Sequence, residues 1–277
     1  MVMIDINKYQ EFKPWYDRII ADFGFDRNLD KEARDLLLNF FKKRKRDLDI
    51  ADTLKKFNKH IQSSSNILIY GCGPSLELTV EKMRNHVGNS YIRKQVHLAA
   101  DGAAVLLREK HFPVLAVFTD LDGITSKEFD WVEFVIVHAH GDNIDKLNEF
   151  QEDIIKKENV IGTTQVDPKD PILNPGGFTD GDRIFYFLRE FLSPTQKLYL
   201  IGMDFNGNIG KYSKQNYTEN QEASPVKRKK LQYAIKLLDA LFDKINNEIY
   251  FVDSTLSAEM KHGEYITFEE FMRKTIP

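Results

Sequence analysis

The stretch F-P-V-L-A-V-F-T-D-L-D-G-I, residues 112–124, decides the fold class of this sequence. Residues 114–118 form a nearly continuous apolar run rich in β-branched and aromatic side chains, which is typical of a strand buried on both faces of a parallel sheet. Asp120 and Asp122 follow directly. Because side chains alternate along an extended chain, we expect these two carboxylates to share one face. Such close carboxylates repel each other unless a cation lies between them, so the stretch predicts either a Mg²⁺ site or a strand end with two solvated aspartates.

The composition is that of a globular protein, with 277 residues of which 42% are hydrophobic and 29% charged. A net charge of −3 argues against general nucleic-acid binding. The single cysteine, Cys72, has no partner for an internal disulfide, which favours a reducing compartment. No apolar run approaches the ~20 residues of a membrane span, and the first residues lack a signal-peptide pattern. We therefore expect a cytoplasmic protein with neither nucleic acid nor membrane as a partner, and leave homo-oligomerisation open.

From residue 63 onward, strand-like runs alternate with helix-length segments, including one polar helix predicted over residues 144–157. The runs lie at residues 67–70, 96–100, 114–118, 132–137, 160–162, 197–203 and 249–252. This alternation predicts a doubly wound, mainly parallel α/β sheet of Rossmann-like type. Residues 1–62 show helical periodicity and no functional motif. We therefore predict an N-terminal helical extension (1–62) followed by an α/β catalytic domain (63–277).

The run at 67–70 leads into Gly71-Cys72-Gly73-Pro74-Ser75 and then into a predicted helix. A strand that turns through glycines into a helix presents backbone N–H groups and a helix N-terminus, where an anion can dock. The pattern is only half of a G-x-G-x-x-G fingerprint. A methyltransferase loop for S-adenosylmethionine and a tight turn without a ligand are therefore alternatives.

Polar residues follow the predicted strands. Because ligands of open α/β sheets bind outside the carboxyl ends of the strands, we expect these residues to lie together at one edge of the sheet. They are residues 71–75, Asp101, Asp120, Asp122, His138, His140, Asp142 and Asp204. A zinc site at the two histidines is disfavoured, since catalytic zinc needs about three protein ligands.

Two glycine-rich loops add candidate residues. The loop 174–183 carries a second Asp-x-Asp pair, Asp180 and Asp182, which suits a second metal or the amino groups of a heterocycle; alternatively, Thr179 or Asp180 caps the following helix. The loop 204–213 contains Lys211 and suits a flexible phosphate-binding lid. In the predicted helix 225–245, at most two of the four basic residues at 227–230 can point at one phosphate, because only positions three or four apart share a face.

These motifs carry a family resemblance. The segments A-A-D-G-A-A (99–104) and T-D-L-D-G (119–123), with Pro113, resemble the signature of thiamin pyrophosphokinases. With G-C-G-P-S-L-E (71–77), H-A-H-G-D-N (138–143), G-F-T-D-G-D-R (177–183) and the segment 201–213, the chain more closely resembles archaeal-type 6-hydroxymethyl-7,8-dihydropterin pyrophosphokinases. That family uses ATP and Mg²⁺ to make a pterin diphosphate for methanopterin or folate-like synthesis. The resemblance covers about residues 63–255 and implies the same activity here.

The same domain is similar to part of the motility accessory factors, so a sugar-nucleotide glycosyltransferase is an alternative from another enzyme class. A D-x-D pair with a metal serves that chemistry equally well. A non-catalytic nucleotide-binding module is a second alternative, although a cluster of carboxylates without a cation costs stability.

The resemblance also implies roles for individual residues. Asp101, Asp120 and Asp122 would hold Mg²⁺ against the triphosphate, and His140 or Asp142 would orient the hydroxymethyl group that attacks. The residues implied to bind ATP are Gly71, Cys72, Gly73, Pro74, Ser75, Gly102 and Lys211. The residues implied to bind the pterin are Thr179, Asp180, Asp182, Arg183, His138 and Asp204. Within this set, a carboxylate of Asp180 or Asp182 would accept the N–H groups of the amino-pyrimidine edge.

Overall fold

The computed structural model describes residues 5–86, 89–255 and 260–275. Within these ranges the backbone forms a central sheet of eight parallel strands and a small antiparallel pair. The strands are β1 (Asn66–Tyr70), β2 (Val96–Ala100), β3 (Ala116–Thr119), β4 (Phe134–Ala139), β5 (Val160–Thr164), β6 (Lys197–Ile201), β7 (Asn208–Ile209), β8 (Gln221–Glu222), β9 (Glu248–Val252) and β10 (Glu264–Ile266). The large sheet has the order β10-β9-β6-β1-β2-β3-β4-β5, and β7 pairs with β8.

Helices cover both faces of this sheet. They are α1 (Tyr9–Phe23), α2 (Arg27–Lys42), α3 (Ile50–Ile61), α4 (Leu76–His86), α5 (Asn89–Ile92), α6 (Ala103–Glu109), α7 (Ser126–Trp131), α8 (Ile144–Glu149), α9 (Gln151–Lys156), α10 (Asp180–Leu188), α11 (Pro225–Phe242) and α12 (Phe268–Thr275). One apolar core lies between the sheet and α1, α3, α10 and α11. A second core lies between the opposite face and α2, α4, α6 to α9 and α12. The predicted doubly wound α/β fold is therefore confirmed.

Strand β1 shows why the predicted strands read as continuous apolar runs. Ile67 and Ile69 belong to one core, whereas Leu68 and Tyr70 belong to the other. All four side chains are fully buried. A strand covered on both faces has no solvent-facing positions, so polar residues do not alternate with apolar ones.

The order of the strands fixes the position of a crevice. β1 is paired with β2 on one side and with β6 on the other, so the chain winds outward in opposite directions from this point. The chain after β1 continues to α4 on one face of the sheet, whereas the chain after β6 continues to α11 on the other face. This switch point is where open α/β sheets bind ligands.

The N-terminal helices are part of both cores. Phe57 of α3 is fully buried, and its ring packs edge-on against Phe134, Phe187 and Phe191 at centroid distances of 5.1–5.4 Å. Helix α2 packs on the other face, beside the loop that follows β4. The predicted helical character of this region is confirmed, whereas the division of the chain at residue 62 remains a prediction.

Two local features differ from the sequence-based expectations. The polar helix predicted over 144–157 is interrupted at Phe150, whose backbone leaves helical geometry (φ −92°, ψ 13°) while its ring stacks on Phe129. Burying this ring orients α8 and α9 separately. Strands β7, β8 and β10 were not predicted, because two or three residues are too short to produce a periodic pattern.

The substitution Phe57→Ala tests whether helix α3 belongs to the cooperative core. We expect it to lower the free energy of unfolding by about 3–5 kcal/mol, because it removes a fully buried ring. The matched control is Leu78→Ala, since Leu78 is 59% exposed and its loss should change stability little. Urea unfolding followed by circular dichroism measures both. A separate early transition, with the main transition unchanged, would instead show that the N-terminal helices form an independent unit.

Candidate active site

A cavity of about 430 Å³ opens at the carboxyl ends of the strands, in the crevice between β1 and β6. Its walls come from the loops after β1, β2, β3 and β6, from the start of α10 and from one side of α11. The structure brings together on these walls the predicted residues Gly71, Cys72, Gly73, Asp101, Asp120, Asp122, Thr179, Asp180, Asp182 and Asp204.

Three carboxylates form the centre of this site. Asp101 follows β2, Asp120 follows β3 and Asp180 begins α10, and one oxygen from each lies within 4.8 Å of the other two. Asp101 has a left-handed backbone (φ 44°) and accepts a 2.6 Å hydrogen bond from the hydroxyl of Thr119. A Cβ atom at Gly123 would lie 2.0 Å from the Asp101 carboxylate, so only glycine fits there. The local sequence thus holds Asp101 against its neighbours.

The protonation of these carboxyl groups follows from their surroundings. Burial and the neighbouring charges of Asp120 and Asp180 raise the pKa of Asp101 well above its usual range. Burial and the charge of Asp120 also raise the pKa of Asp180, although Arg183 opposes this. The Asp101 and Asp180 carboxyl groups therefore hold protons more tightly than ordinary aspartates, as expected of a carboxylate cluster without a cation.

Asp120 is the ionised member of the cluster. Burial alone would raise its pKa, but hydrogen bonding and charge from His140, together with the charge of Arg183, lower it overall. His140 Nε2 lies 3.6 Å from the Asp120 carboxylate, and His140 Nδ1 accepts a hydrogen bond from the N–H of Asp142. The proximity of the His140 ring therefore favours the ionised form of Asp120.

The Asp122 carboxylate is not one of the three that lie within 4.8 Å of one another, so this cluster differs from the metal ligand set predicted from the sequence, and Asp122 as a metal ligand stays a prediction. Leu121 adopts a left-handed backbone (φ 77°), so the chain is not extended between Asp120 and Asp122 and strand alternation does not apply. Asp122 lies instead at the rim, 3.4 Å from Lys214 Nζ. The sheet edge supplies Asp180 in its place, from a loop 60 residues further along the chain.

The loop 71–75 lines the cavity only in part, and its N–H groups are not free. Gly71 and Gly73 donate to the carbonyl groups of Ile201 and Gly202, and Ser75 N–H donates to Asp204. The expected cradle of free N–H groups is therefore wrong at these three positions. Pro74, Ser75 and Gly102 do not line the cavity in the described part of the chain. Gly102 instead packs under the loop 211–213, where a Cβ would lie 1.9 Å from the Tyr212 carbonyl oxygen.

Asp204 occupies the place predicted for an external anion. Its carboxylate accepts hydrogen bonds from Ser75 N–H (2.8 Å), the Ser75 hydroxyl (2.7 Å) and Thr255 N–H (2.7 Å). It thereby satisfies the N-terminal end of α4 and fixes the loops after β1 and β6 to each other. With 5% of its surface exposed, Asp204 builds the crevice and is not placed to bind a substrate as predicted.

The cations at the cavity differ from the predicted one. Lys211 forms an ion pair with Glu77 (2.8 Å) and lies outside the cavity lining, and its contact with a phosphate stays a prediction. Lys214, Lys227 and Lys230 line the cavity instead. Two of the four basic residues at 227–230 thus face the site, as the helical spacing predicts. The other two point elsewhere, Arg228 to Glu222 and Lys229 to Asp22.

Asp182 and Thr179 form the cap of α10. The Asp182 carboxylate accepts from Phe178 N–H, Thr179 N–H and the Thr179 hydroxyl, in a capping box that leaves it 1% exposed. The cap therefore uses Asp182 and leaves the neighbouring carboxylate of Asp180 pointing to the cluster. Asp182 is thus not placed for its predicted contact with the pterin, because both of its oxygens are engaged.

The remaining two predicted substrate residues lie behind the cluster. His138 is buried in β4 and contacts the Thr163 hydroxyl at 3.0 Å; burial and the nearby charge of Arg183 lower its pKa and keep it neutral. Arg183 is 6% exposed, and its guanidinium lies 3.8 Å from Asp180 and 3.4 Å from Gln165. Arg183 therefore provides positive charge beside the acidic cluster.

A second, smaller cavity adjoins the first and shares with it Asp120, Thr179, Asp180, Lys227 and Lys230. His140 and Asp142 line it, and so do residues that the sequence did not suggest: Phe25, Asp26, Leu29, Asp30 and Gln165. Residues 1–62, which show no functional motif in the sequence, thus supply four of the residues that line this cavity. A signal was present, because Asp30 lies three and seven positions before Ala33 and Leu37, on the buried stripe of α2.

Asp101 and Asp204 lie at the same edge of the sheet, but replacing each of them by asparagine should change the free energy of unfolding in opposite directions. In EDTA, Asp101→Asn should raise the free energy of unfolding at neutral pH, because it removes one of several repelling carboxyl groups. The pKa of Asp101 is higher in the folded state than its unfolded value of about 3.9. The free energy of unfolding of the wild-type protein should therefore decrease as the pH rises from the unfolded to the folded pKa of Asp101, and the asparagine variant should not show this decrease.

Asp204→Asn is the matched comparison. It should lower the free energy of unfolding by about 1–3 kcal/mol, because the side-chain NH2 group of asparagine cannot accept the hydrogen bonds that the carboxylate accepts from buried N–H groups. Denaturant unfolding between pH 4 and 8 measures both variants. Destabilisation by Asp101→Asn under these conditions would contradict the electrostatic description of the cluster.

Comparisons with known proteins agree with this geometry. A family model described as "6-hydroxymethylpterin diphosphokinase MptE-like" matches residues 36–209, which include β1 to β6 and the three clustered aspartates.

None of the helices in the described ranges has the length and apolar content that a membrane span requires.

Three curated archaeal proteins named 6-hydroxymethyl-7,8-dihydropterin pyrophosphokinase are similar over most of their length. The protein from Methanothermobacter thermautotrophicus is 36% identical over 238 residues, covering 82% of this chain and 92% of the relative. Those from Pyrococcus furiosus and Methanocaldococcus jannaschii are each 33% identical, covering 84% and 86% of this chain and 94% and 98% of the relatives. With a family model matching more than half of its residues and relatives of this similarity, the chain belongs to the MptE-like family.

Proposed function

We propose that this protein transfers the diphosphate group of ATP to the hydroxymethyl group of 6-hydroxymethyl-7,8-dihydropterin, giving the pterin diphosphate and AMP. The observation that carries the proposal is the carboxylate cluster of Asp101, Asp120 and Asp180, which lies where two cavities meet in a chain of this family. Transfer between two substrates needs two binding sites that adjoin at the transferred group. The comparisons do not favour a glycosyltransferase or a thiamin pyrophosphokinase.

The cluster fits Mg²⁺ by the chemistry of its donors. Three carboxylates whose oxygens lie within 4.8 Å of one another supply the hard oxygen ligands that Mg²⁺ prefers. We therefore assign Asp101, Asp120 and Asp180 as the residues that would hold Mg²⁺, with Asp122 at the rim. When bound, the ion would neutralise charge on the phosphate oxygens of ATP.

We propose that the larger cavity binds ATP. Lys214, Lys227 and Lys230 line it together with the acidic cluster. The lysines would neutralise phosphate oxygens, and the carboxylates would hold the metal ion bound to the triphosphate. Phosphoryl-type transfers depend mainly on positioning and charge neutralisation rather than on covalent help from the protein. The loop 71–73 would contribute shape to this cavity, because the N–H groups of Gly71 and Gly73 already have protein partners.

In the transfer, the pterin hydroxyl oxygen attacks the β-phosphorus of ATP. The bond to the bridging oxygen of the α-phosphate breaks, and AMP leaves with the electron pair. We assign the orientation of the hydroxyl and the acceptance of its proton to Asp142, whose exposed carboxylate faces the smaller cavity.

Several finer assignments belong to the same proposal. The pterin diphosphate would serve the synthesis of tetrahydromethanopterin or of a folate-type pterin, and the reaction would take place in the cytoplasm, where ATP is available. ATP and the pterin are the partners proposed, and homo-oligomerisation is left open.

The identity of the released nucleotide tests the proposal. Purified protein with ATP, Mg²⁺ and 6-hydroxymethyl-7,8-dihydropterin should form AMP and the pterin diphosphate in one step, because attack at the β-phosphorus leaves the α-phosphate on the nucleoside. Phosphorus NMR of the reaction mixture, with a reaction lacking the pterin as control, identifies both products. ADP as the first nucleotide product would exclude diphosphate transfer. Inertness toward ATP, with release of CMP from a nonulosonic sugar nucleotide, would favour a glycosyltransferase.

A further inference from the structure

We propose that residues 25–30, at the corner between α1 and α2, form a wall of the acceptor subsite. The subsite is the smaller cavity, and the ligand class is a planar heteroaromatic ring with hydrogen-bonding groups on its edge. This inference rests on the function proposed above, because it assigns the pterin substrate of that reaction to the smaller cavity.

The two cavities differ in volume, as the two substrates do. The larger has a volume of about 430 Å³, whereas the smaller has about 70 Å³. A nucleoside triphosphate is larger than a bicyclic ring, so the larger cavity is assigned to the nucleotide. The shared wall contains Asp120, Asp180 and Lys230, which is where the transferred diphosphate must lie between the two substrates.

The smaller cavity has both apolar and polar walls. Phe25, Leu29 and Phe178 provide apolar surface, with the Phe25 and Phe178 rings 6.5 Å apart and inclined by 48°. Lys230 Nζ lies over both rings, at 5.6 Å and 5.9 Å, so the rings fix this cation beside the shared wall. The exposed carboxylate of Asp142 can accept N–H groups from the edge of a heteroaromatic ring.

A series of hydrogen bonds that ends in an ion pair connects the N-terminal corner to the acidic cluster. The buried Asp30 carboxylate accepts from Gly141 N–H (2.8 Å) and from Gln165 Nε2 (2.8 Å). Gln165 in turn accepts from Arg183 (3.4 Å), and Arg183 lies 3.8 Å from Asp180. Asp30 is therefore a positioning residue that holds the loop carrying His140 and Asp142 against α2.

The backbone of the loop after β4 lies close to helix α2 at Gly141. A Cβ atom at Gly141 would lie 2.7 Å from the Cβ of Leu29, so the loop after β4 and helix α2 pack without room for a larger residue. Leu29 is nevertheless 42% exposed, because its outer part faces the cavity and solvent. A larger side chain at position 29 therefore extends into the cavity rather than into the core.

The substitution Leu29→Trp tests the subsite in the full chain. Calorimetric titration should show the dissociation constant for 6-hydroxymethyl-7,8-dihydropterin raised by about tenfold or more, which is at least 1.4 kcal/mol, while binding of a non-hydrolysable ATP analogue with Mg²⁺ is unchanged. Leu78→Trp is the matched control, since Leu78 is an exposed leucine on a helix outside both cavities, and it should change neither constant.

A second variant, Leu29→Ala, opens the wall instead of filling it and should also weaken pterin binding without changing nucleotide binding, because Leu29 does not line the larger cavity. Normal pterin binding by both variants, in a wild-type background that does bind the pterin, would overturn the subsite and leave the proposed function standing. Weakened binding of the ATP analogue by Leu29→Trp would also overturn it. Failure of the wild-type protein to bind the pterin at all would overturn the proposed function itself.

Discussion

The repulsion among the Asp101, Asp120 and Asp180 carboxylates is the physical constraint on which the rest of the site depends. One oxygen from each lies within 4.8 Å of the others at the end of a parallel sheet, in partly buried surroundings. The protein relieves this repulsion in two ways visible in the structure. His140 and Arg183 keep Asp120 ionised, while Asp101 and Asp180 have raised pKa values. A site that binds protons so readily is also prepared to bind a divalent cation, which is the basis of the proposed chemistry.

Other acidic residues of the same loops serve the frame of the site. Asp204 holds the loops after β1 and β6 together through three hydrogen bonds, and Asp182 caps α10 so that Asp180 faces inward. Asp30 connects α2 to the loop after β4 and, through Gln165, to Arg183. Each of these carboxylates is satisfied by protein N–H or hydroxyl groups, so its charge is compensated without a cation. The clustered carboxylates have fewer such partners, the Thr119 hydroxyl for Asp101 and the Asp122 N–H for Asp120, so more of their charge remains uncompensated.

The sequence predicted the fold well, because every long strand is buried on both faces and therefore reads as an unbroken apolar run. It also predicted that Asp101 and Asp120 lie at one sheet edge, since this follows from parallel topology alone. It failed where the answer depends on backbone conformation or on long-range packing. The left-handed backbone at Leu121 separates Asp122 from Asp120, and the ion pair with Glu77 takes Lys211 away from the cavity. The contribution of residues 25–30 was missed because it arises only from the packing of α2 beside the loop after β4.

The composition of the metal site is the central claim, and a divalent-cation titration without substrates tests it most directly. Calorimetric titration with Mn²⁺, used as a probe for Mg²⁺, should show binding to the wild-type chain. Asp180→Asn should weaken this binding by about tenfold or more, and Asp122→Asn should change it little, because Asp180 belongs to the cluster and Asp122 lies at its rim beside Lys214. Strong loss with Asp122→Asn, together with unchanged binding by Asp180→Asn, would contradict this assignment.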